Sequence, residues 1–361
     1  MSLTDISITP DFDAFIRTLL YKEPPKRVFH SELFLDGPVK YAIMDRFHLS
    51  PQESPDNPLF DVKLDTMLYR FLGYDMVRVH LPESEFPMNI QGATKADGAS
   101  HEKRERENSI DENAPIRSWQ DFESYPWPRI SALDTRPLEW AEKNLPEGMK
   151  AYELSDQFFE CSTWLMGFQG MFTSMYDNVE LLDAVLQKVG ETYLDYTRLL
   201  CDFDCVGVIC GTDDMGFKTD TMVSPEWLKN NILTWHQKGA AIAHDKGKRY
   251  FLHSCGQVDA LMEDLITKVK IDAKHSFEDE VYPVTDFYRK YGKRIGVIGG
   301  VDMNFLATAQ PDEVRKRVRE TLEICHPQGG YALGSGNSIA YYIPLDNYLA
   351  MLEEGRKFAP D

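Results

Sequence analysis

The run Arg249-Tyr250-Phe251-Leu252-His253-Ser254-Cys255-Gly256-Gln257 is the stretch on which the fold turns. Tyr250, Phe251 and Leu252 make a short apolar segment that ends in His253-Ser254-Cys255 and is closed by Gly256. Side chains on a strand repeat with period two, so His253 and Cys255 point to the same side of a strand terminus. An imidazole and a thiol aimed at one point are two of the three protein ligands of an open, catalytic zinc site.

Working outward, β-rich runs of the same kind recur along the chain. They cover 27–34, 74–81, 149–154, 205–212, 248–254, 270–277, 294–300 and 329–334. Between them, apolar residues fall at three- and four-residue spacing over 178–201, 225–245, 258–269, 281–291 and 311–325, which predicts helices. Ser224-Pro225-Glu226 marks a helix start with a capping hydroxyl, a proline in the first turn and an early acid. Eight strands with helical crossovers predict an α/β fold, a (β/α)8 TIM barrel, which needs about 250 residues plus insertions. An open, doubly wound sheet is the alternative. The whole chain, 1–361, reads as one barrel domain with a helical opening segment over 1–26. Residues 82–148 form a long insertion between strands 2 and 3, and its polar middle, 92–113, reads as a lid. Tyr125-Pro126-Trp127-Pro128 beyond it is an aromatic, proline-stiffened stretch expected to pack across the barrel.

Composition excludes several classes of partner. With 39 Lys and Arg against 58 Asp and Glu, the net charge is −19, which repels nucleic acid and anionic membrane surfaces. No apolar run is long enough to span a bilayer, and Met1-Ser2-Leu3-Thr4-Asp5 does not open a secretory signal, so a cytoplasmic location is expected. The six cysteines contain no CxxC pair and read as reduced thiols, five of them as small buried apolar residues.

In such a barrel the site lies at the C-terminal ends of the strands. Read as a set, those ends are rich in groups that bind or transfer protons. They supply His30 and Glu32, then Glu153, then Asp213-Asp214, then His253 and Cys255, then His275 and Glu278, then Asp302, and last Ser335 and Asn337. Asp213, Asp214, His253 and Asp302 are the candidates for acid, base or electrophilic roles. His30, Glu32, Glu153, His275, Ser335 and Asn337 are candidates for substrate binding. His253 and Cys255 are the metal pair, and Asp213, Asp214, Glu153, Glu278 and Asp302 can each supply a third, carboxylate ligand.

The order Asp213-Asp214-Met215-Gly216, Ser224-Pro225-Glu226, His253-Ser254-Cys255-Gly256, Gly299-Gly300-Val301-Asp302 and Gly329-Gly330-Tyr331 through Gly336 resembles the uroporphyrinogen decarboxylase superfamily, which includes corrinoid-dependent methyltransferases. The resemblance spans residues 20–357 and is most specific from 205 onward. Porphyrinogen decarboxylases of that family carry an arginine-rich motif near the N-terminus that grips substrate carboxylates. Here Arg27 and Arg46 stand alone. Its methyltransferases hold zinc on an H-x-C…C set, matched by His253 and Cys255, while Ser335 stands where the third ligand falls. A carboxylate as third ligand would make the zinc a stronger Lewis acid than a second thiolate would.

The expected function is therefore methyl transfer between a small methylated compound (a methoxylated aromatic, a methylamine or methanol) and the corrinoid of a separate partner protein. Zinc is the expected resident metal. Decarboxylation of a porphyrinogen or a smaller acid is the alternative, and a non-catalytic binding barrel is a third. Relatives in the resembled family pair as homodimers, which is the expectation here.

Overall fold

Seven parallel strands lie side by side in sequence order: β1 Met76–Arg78, β2 Lys150–Ser155, β3 Val206–Thr212, β4 Arg249–His253, β5 Ala273–His275, β6 Gly296–Ile298 and β7 Tyr331–Ala332. The computed structural model describes residues 8–20, 23–51, 53–88 and 110–358. Parallel neighbours cannot be joined by tight turns, so each connection is a crossover, and helices cover the outer face. The polar stretch expected as a lid falls mainly on 89–109, outside the described residues.

The sheet curls. Met76, Tyr152, Val208, Cys210, Phe251, Ala273, Ile298 and Ala332, one or two residues from every strand, form a single buried cluster with Phe29 and Leu33. A flat sheet would keep the β1 and β7 side chains apart. Phe12, Phe15, Ile16 and Leu19 of the helix Phe12–Leu19 join this cluster. Phe12 lies against Gly207 and Leu19 against Gly296, near the starts of β3 and β6, so this helix plugs the N-terminal end of the curl. Each fully buried side chain of this size contributes about 1.5–3 kcal/mol. Asp11 starts the helix by accepting the Ala14 amide at 2.9 Å. The alternate residues Val77, Ala151, Ile209, Leu252 and Val297 face outward into the larger core beneath the helices.

The first expected strand, 27–34, is not a full strand. It makes one parallel bridge, His30 to Leu333, with Ser31 N donating to Leu333 O at 2.9 Å and Leu333 N to Phe29 O at 2.8 Å. The Tyr152 hydroxyl of β2 donates to the carbonyls of Glu32 (3.0 Å) and Leu33 (2.8 Å), so a side chain satisfies acceptors of this segment.

The aromatic stretch of the insertion packs outside the curl rather than across it. Trp127 meets Tyr125 and Phe122 edge to face at 4.7 and 5.3 Å and reaches Phe86, which lies 5.1 Å from Tyr193 of the long helix Val179–Cys201. Cys161, Cys201, Cys205, Cys210 and Cys325 are buried free thiols, and Cys255 alone of the six is half-buried. Among the described residues, no helix is long and apolar enough to cross a membrane.

Candidate active site

Inward and outward positions alternate along β3 and β4, and this alternation sorts the candidate residues. Phe251 faces the inner cluster, so His253 and Cys255 continue on the inner side past the end of β4. The His253 Nε2 lies 3.4 Å from Cys255 Sγ and 3.7 Å from Asp214 Oδ1. These three ligand atoms all fall within 4.8 Å of one another, as one metal ion requires.

Two glycines make this convergence possible. Gly256 has φ +75°, and a Cβ there would meet the Gly216 carbonyl carbon at 2.3 Å; a Cβ on Gly216 would meet Gln257 N at 2.6 Å. With neither present, the loops after β3 and β4 touch backbone to backbone, and Gln257 N donates to Phe217 O at 2.7 Å. That contact draws Asp214 over Cys255, whose amide donates to Asp214 Oδ1 at 2.8 Å.

The hydrogen bonds behind His253 settle its tautomer. His275 Nε2 lies 3.3 Å from the Ser335 carbonyl, which only accepts, so His275 carries its proton on Nε2. Its Nδ1 is then an acceptor for the His253 Nδ1 proton at 2.9 Å, and the His253 Nε2 lone pair faces Cys255 and Asp214. Both rings are neutral at pH 7. Burial, helped by the nearby Lys274 charge, pushes His253 down to about 3. Burial and the neighbouring His253 hold His275 well below the usual imidazole range. The donor set therefore fits a divalent metal with an imidazole, a thiol and a carboxylate, and leaves room for a fourth, exchangeable ligand.

Cys255 is set up as an acceptor. Asn337 Nδ2 donates to its sulfur at 3.4 Å, and the Ser276 hydroxyl lies 3.3 Å away. Burial, then the Asp214 carboxylate, holds the thiol well above its ordinary pKa. Lys274 is buried behind the site and donates to the carbonyls of Ser254, His275 and Ser276 at 3.3, 3.3 and 2.7 Å. It ties together the ends of β4 and β5.

His275 thus positions His253. Replacing it with Ala removes the acceptor that fixes the His253 tautomer. Zinc affinity, read by competition with a chromophoric chelator, is expected to fall about 10- to 100-fold with the fold intact.

Several candidates fall elsewhere. Asp213 faces outward and is fully buried. Its oxygens accept the amides of Phe159 (3.0 Å) and Glu160 (2.8 Å) at the start of the helix Phe158–Met166, and lie 2.9 Å from His236 Nε2. It is a helix anchor, not an acid or base at the mouth. Asp302 is likewise a cap. It accepts Phe305 N at 2.9 Å for the helix Met303–Thr308 and Asp279 N at 2.9 Å. His30 points away from the inner cluster and is buried against Gly355 and Tyr74. Burial, then Arg356 and Arg27, lowers it to about 3.

Glu32 and Ser335 hold each other. Ser335 N and Oγ donate to the Glu32 carboxyl at 2.9 and 2.5 Å, and Ser335 is fully buried. Burial pushes Glu32 up to about 8 against the opposing pull of the Ser335 bonds. Their effect reaches the site through the Ser335 carbonyl and His275, because Gly299 (φ +80°) leaves space where a Cβ would meet Ser335 O at 2.2 Å.

Two residues that the strand-end reading passed over also belong to the mouth. Arg78 ends β1, and its Nε and Nη2 donate to buried Glu153 at 2.8 and 3.2 Å. His80 Nδ1 meets the same carboxylate at 2.8 Å. The signal was present in the β1 pattern, since Met76, Arg78 and His80 share the inward period.

Comparison with known proteins agrees with this architecture. A structure described as a methyltransferase from Methanosarcina mazei superposes with a TM-score of 0.71 at 18% identity, covering 95% of this chain and 97% of that one. At that identity the likeness speaks for the fold alone. An amidohydrolase from Burkhoderia ambifaria with bound Zn matches with a TM-score of only 0.31 at 12% identity, over 99% of this chain and 86% of its own, and has no bearing on the fold. No curated protein matches the chain. The family model for uroporphyrinogen decarboxylase (URO-D) matches residues 159–358, more than half of the chain and all of the strand ends from Asp213 to Asn337. The chain belongs to the uroporphyrinogen decarboxylase family.

Proposed function

We propose that this protein is a zinc-dependent methyltransferase that moves a methyl group between a small methylated compound and a corrinoid held by a separate protein. Its frame would be a complete (β/α)8 barrel in which residues 28–31 serve as the eighth strand beside β7. The observation that carries this reading is the Asp214, His253 and Cys255 group, three ligand types within 4.8 Å at the open end of the curl. A zinc ion held there would supply Lewis acidity toward the heteroatom of the methyl donor. His275 and the Ser335 carbonyl keep the His253 lone pair aimed at the site. Asn337 and Ser276 steady the Cys255 sulfur, and the Cys255 amide fixes Asp214.

Two further features support it. Phe217, in the loop after β3, and Tyr341, in the loop after β7, leave large aromatic surfaces exposed near the strand ends, where a corrinoid protein would dock. The solved structure of matching length that is described as a methyltransferase is in keeping with the reading.

Decarboxylation, the activity that names the family, is the competing reading. A porphyrinogen asks for several fixed positive charges facing its many carboxylates, whereas the end of β1 offers the single guanidinium of Arg78, itself bound to Glu153. Arg27 is bound to Asp75 at 2.5 Å, just before β1 and so at the opposite end of the sheet. Arg46 pairs at the surface with Asp346 at 3.2 Å.

The test is direct. Zinc-loaded protein is mixed with cob(I)alamin and a panel of methylated donors, and the methylcobalamin spectrum is followed. Methyl transfer from at least one donor, lost on removal of zinc, is the expected result. Carbon dioxide release from a porphyrinogen by the metal-free protein, without methyl transfer, would establish the decarboxylase instead.

A further inference from the structure

The mouth also holds a charge arrangement that the metal site does not explain. Glu153 is buried to 1% side-chain exposure, yet a guanidinium and an imidazole converge on it from the β1 end. Arg78 spends Nε and Nη2 on that carboxylate. Among the described residues no hydrogen bond engages its Nη1, and the side chain keeps 22% of its surface exposed. His80 stands beside it, with Nδ1 on Glu153 and Nε2 3.4 Å from Glu85 at the exposed rim. The Tyr196 hydroxyl closes the far side of Glu153 at 3.5 Å.

Charge and position matter here. Burial opposes ionisation at both acid and base, but Arg78 and His80 together hold Glu153 below its ordinary range, and Glu153 holds His80 above its own. The carboxylate beneath thus pins the guanidinium plane through Nε and Nη2, while part of the side chain stays exposed at the end of β1. In a protein with a net charge of −19, an anionic substrate needs such a local cation to enter at all. The Phe34 ring lies 5.9 Å from the guanidinium carbon and packs against the inner cluster, so an apolar wall adjoins the cation.

We infer that Arg78, pinned by Glu153 and flanked by His80 and Phe34, forms a carboxylate subsite, and that the substrate is a small methylated carboxylic acid with an apolar or aromatic body. The carboxylate would pair with the free edge of Arg78 in a charge-assisted hydrogen bond, and the body would lie along Phe34. The methylated part of this inference rests on the methyltransferase reading; the carboxylate part does not. It excludes cationic methylamines from the donor classes, because they would face the guanidinium.

The experiment is a binding measurement that needs no turnover. A methoxybenzoate, its uncharged carboxamide and a methylammonium salt are titrated calorimetrically into the parent protein, Arg78→Lys, Arg78→Met and the Arg78→Met/Glu153→Gln double variant. Each protein is tested zinc-loaded and zinc-free. The double variant removes both charges together, so a fold damaged by an orphaned Glu153 is separated from a lost subsite.

The parent is expected to prefer the carboxylate over the amide by about 10- to 100-fold. That preference should survive in part in Arg78→Lys and vanish in both other variants. A carboxylate preference without methyl transfer would sink the methyltransferase reading and leave the subsite standing. Equal binding of acid and amide, a preference that persists without Arg78, or no binding of the acid to the parent would each overturn the subsite.

Discussion

Protein purified without chelators is expected to carry about one zinc per chain, and His253→Ala or Cys255→Ser to carry almost none. Each variant removes a direct ligand, so affinity should fall by more than the roughly 10- to 100-fold typical of a supporting residue. Elemental analysis reads the content, and chelator competition reads the affinity. The pH dependence follows from the two groups. The Cys255 thiol lies well above its usual range, because burial and then the Asp214 charge oppose its ionisation. It is therefore protonated near neutrality and must lose that proton to bind metal. His253, at about 3, is already neutral there and has no proton to lose. Zinc affinity should accordingly rise about tenfold per pH unit between pH 6 and 8, with one proton released per ion. A pH-independent affinity, or a slope of two protons, would contradict this assignment. A parent protein that takes up no zinc even when it is supplied would remove the metal mechanism altogether.

The adjacent aspartates should behave as opposites, and this is the second large effect. Asp213→Ala deletes the group that holds two backbone amides at the start of the helix Phe158–Met166 and pairs with His236. His236 Nδ1 lies 2.9 Å from the Tyr250 hydroxyl, which donates to Asp156 at 2.8 Å, and Asp156 in turn accepts from Thr197 at 2.8 Å. All of these groups are buried between the sheet and the helices, so the loss strands several polar atoms at once. A destabilisation on the order of 3–5 kcal/mol in denaturant unfolding is expected, with zinc content in the folded fraction unchanged. Asp214→Ala should do the reverse. Asp214 is more than a third exposed, at 38% of its side chain, and its removal should cost about 1 kcal/mol or less while metal affinity drops sharply. If Asp214→Ala retained zinc and Asp213→Ala lost it, the ligand assignment made from the geometry would be wrong.

Period-two alternation decides which of these neighbours does what, and the sequence already contains it. In β3, Val208 and Cys210 face inward while Ile209 faces outward, so Asp213 falls with the outward set. Reading the strand ends as a pool of polar residues, without carrying the alternation through, grouped Asp213 with the inward set; Asp302 shares the inward parity of Ile298 and is distinguished by its capping bonds instead. The same omission passed over Arg78 and His80. Both caps look like catalytic acids in sequence because a carboxylate after a strand is equally useful for accepting the amides of the next helix. His30 could not be told from a site histidine either, since its partners, Tyr74 and Gly355, come from distant parts of the chain.

The sequence by itself determined the local and periodic features of this protein. The apolar runs specify the strands from β1 to β7, the spacing specifies the long helices, and the H-x-C pair at the end of β4 specifies two ligands on one side. Its acid excess gives the chain a net charge of −19. Only the tertiary structure decided which carboxylate joins that pair, because the choice rests on the loops after β3 and β4 touching at Gly216 and Gly256. It also decided that Ser335 serves His275 through its carbonyl instead of offering its hydroxyl, since Glu32, some 300 residues earlier in the chain, claims that hydroxyl. These outcomes depend on contacts between segments far apart in sequence, and no local propensity encodes such contacts.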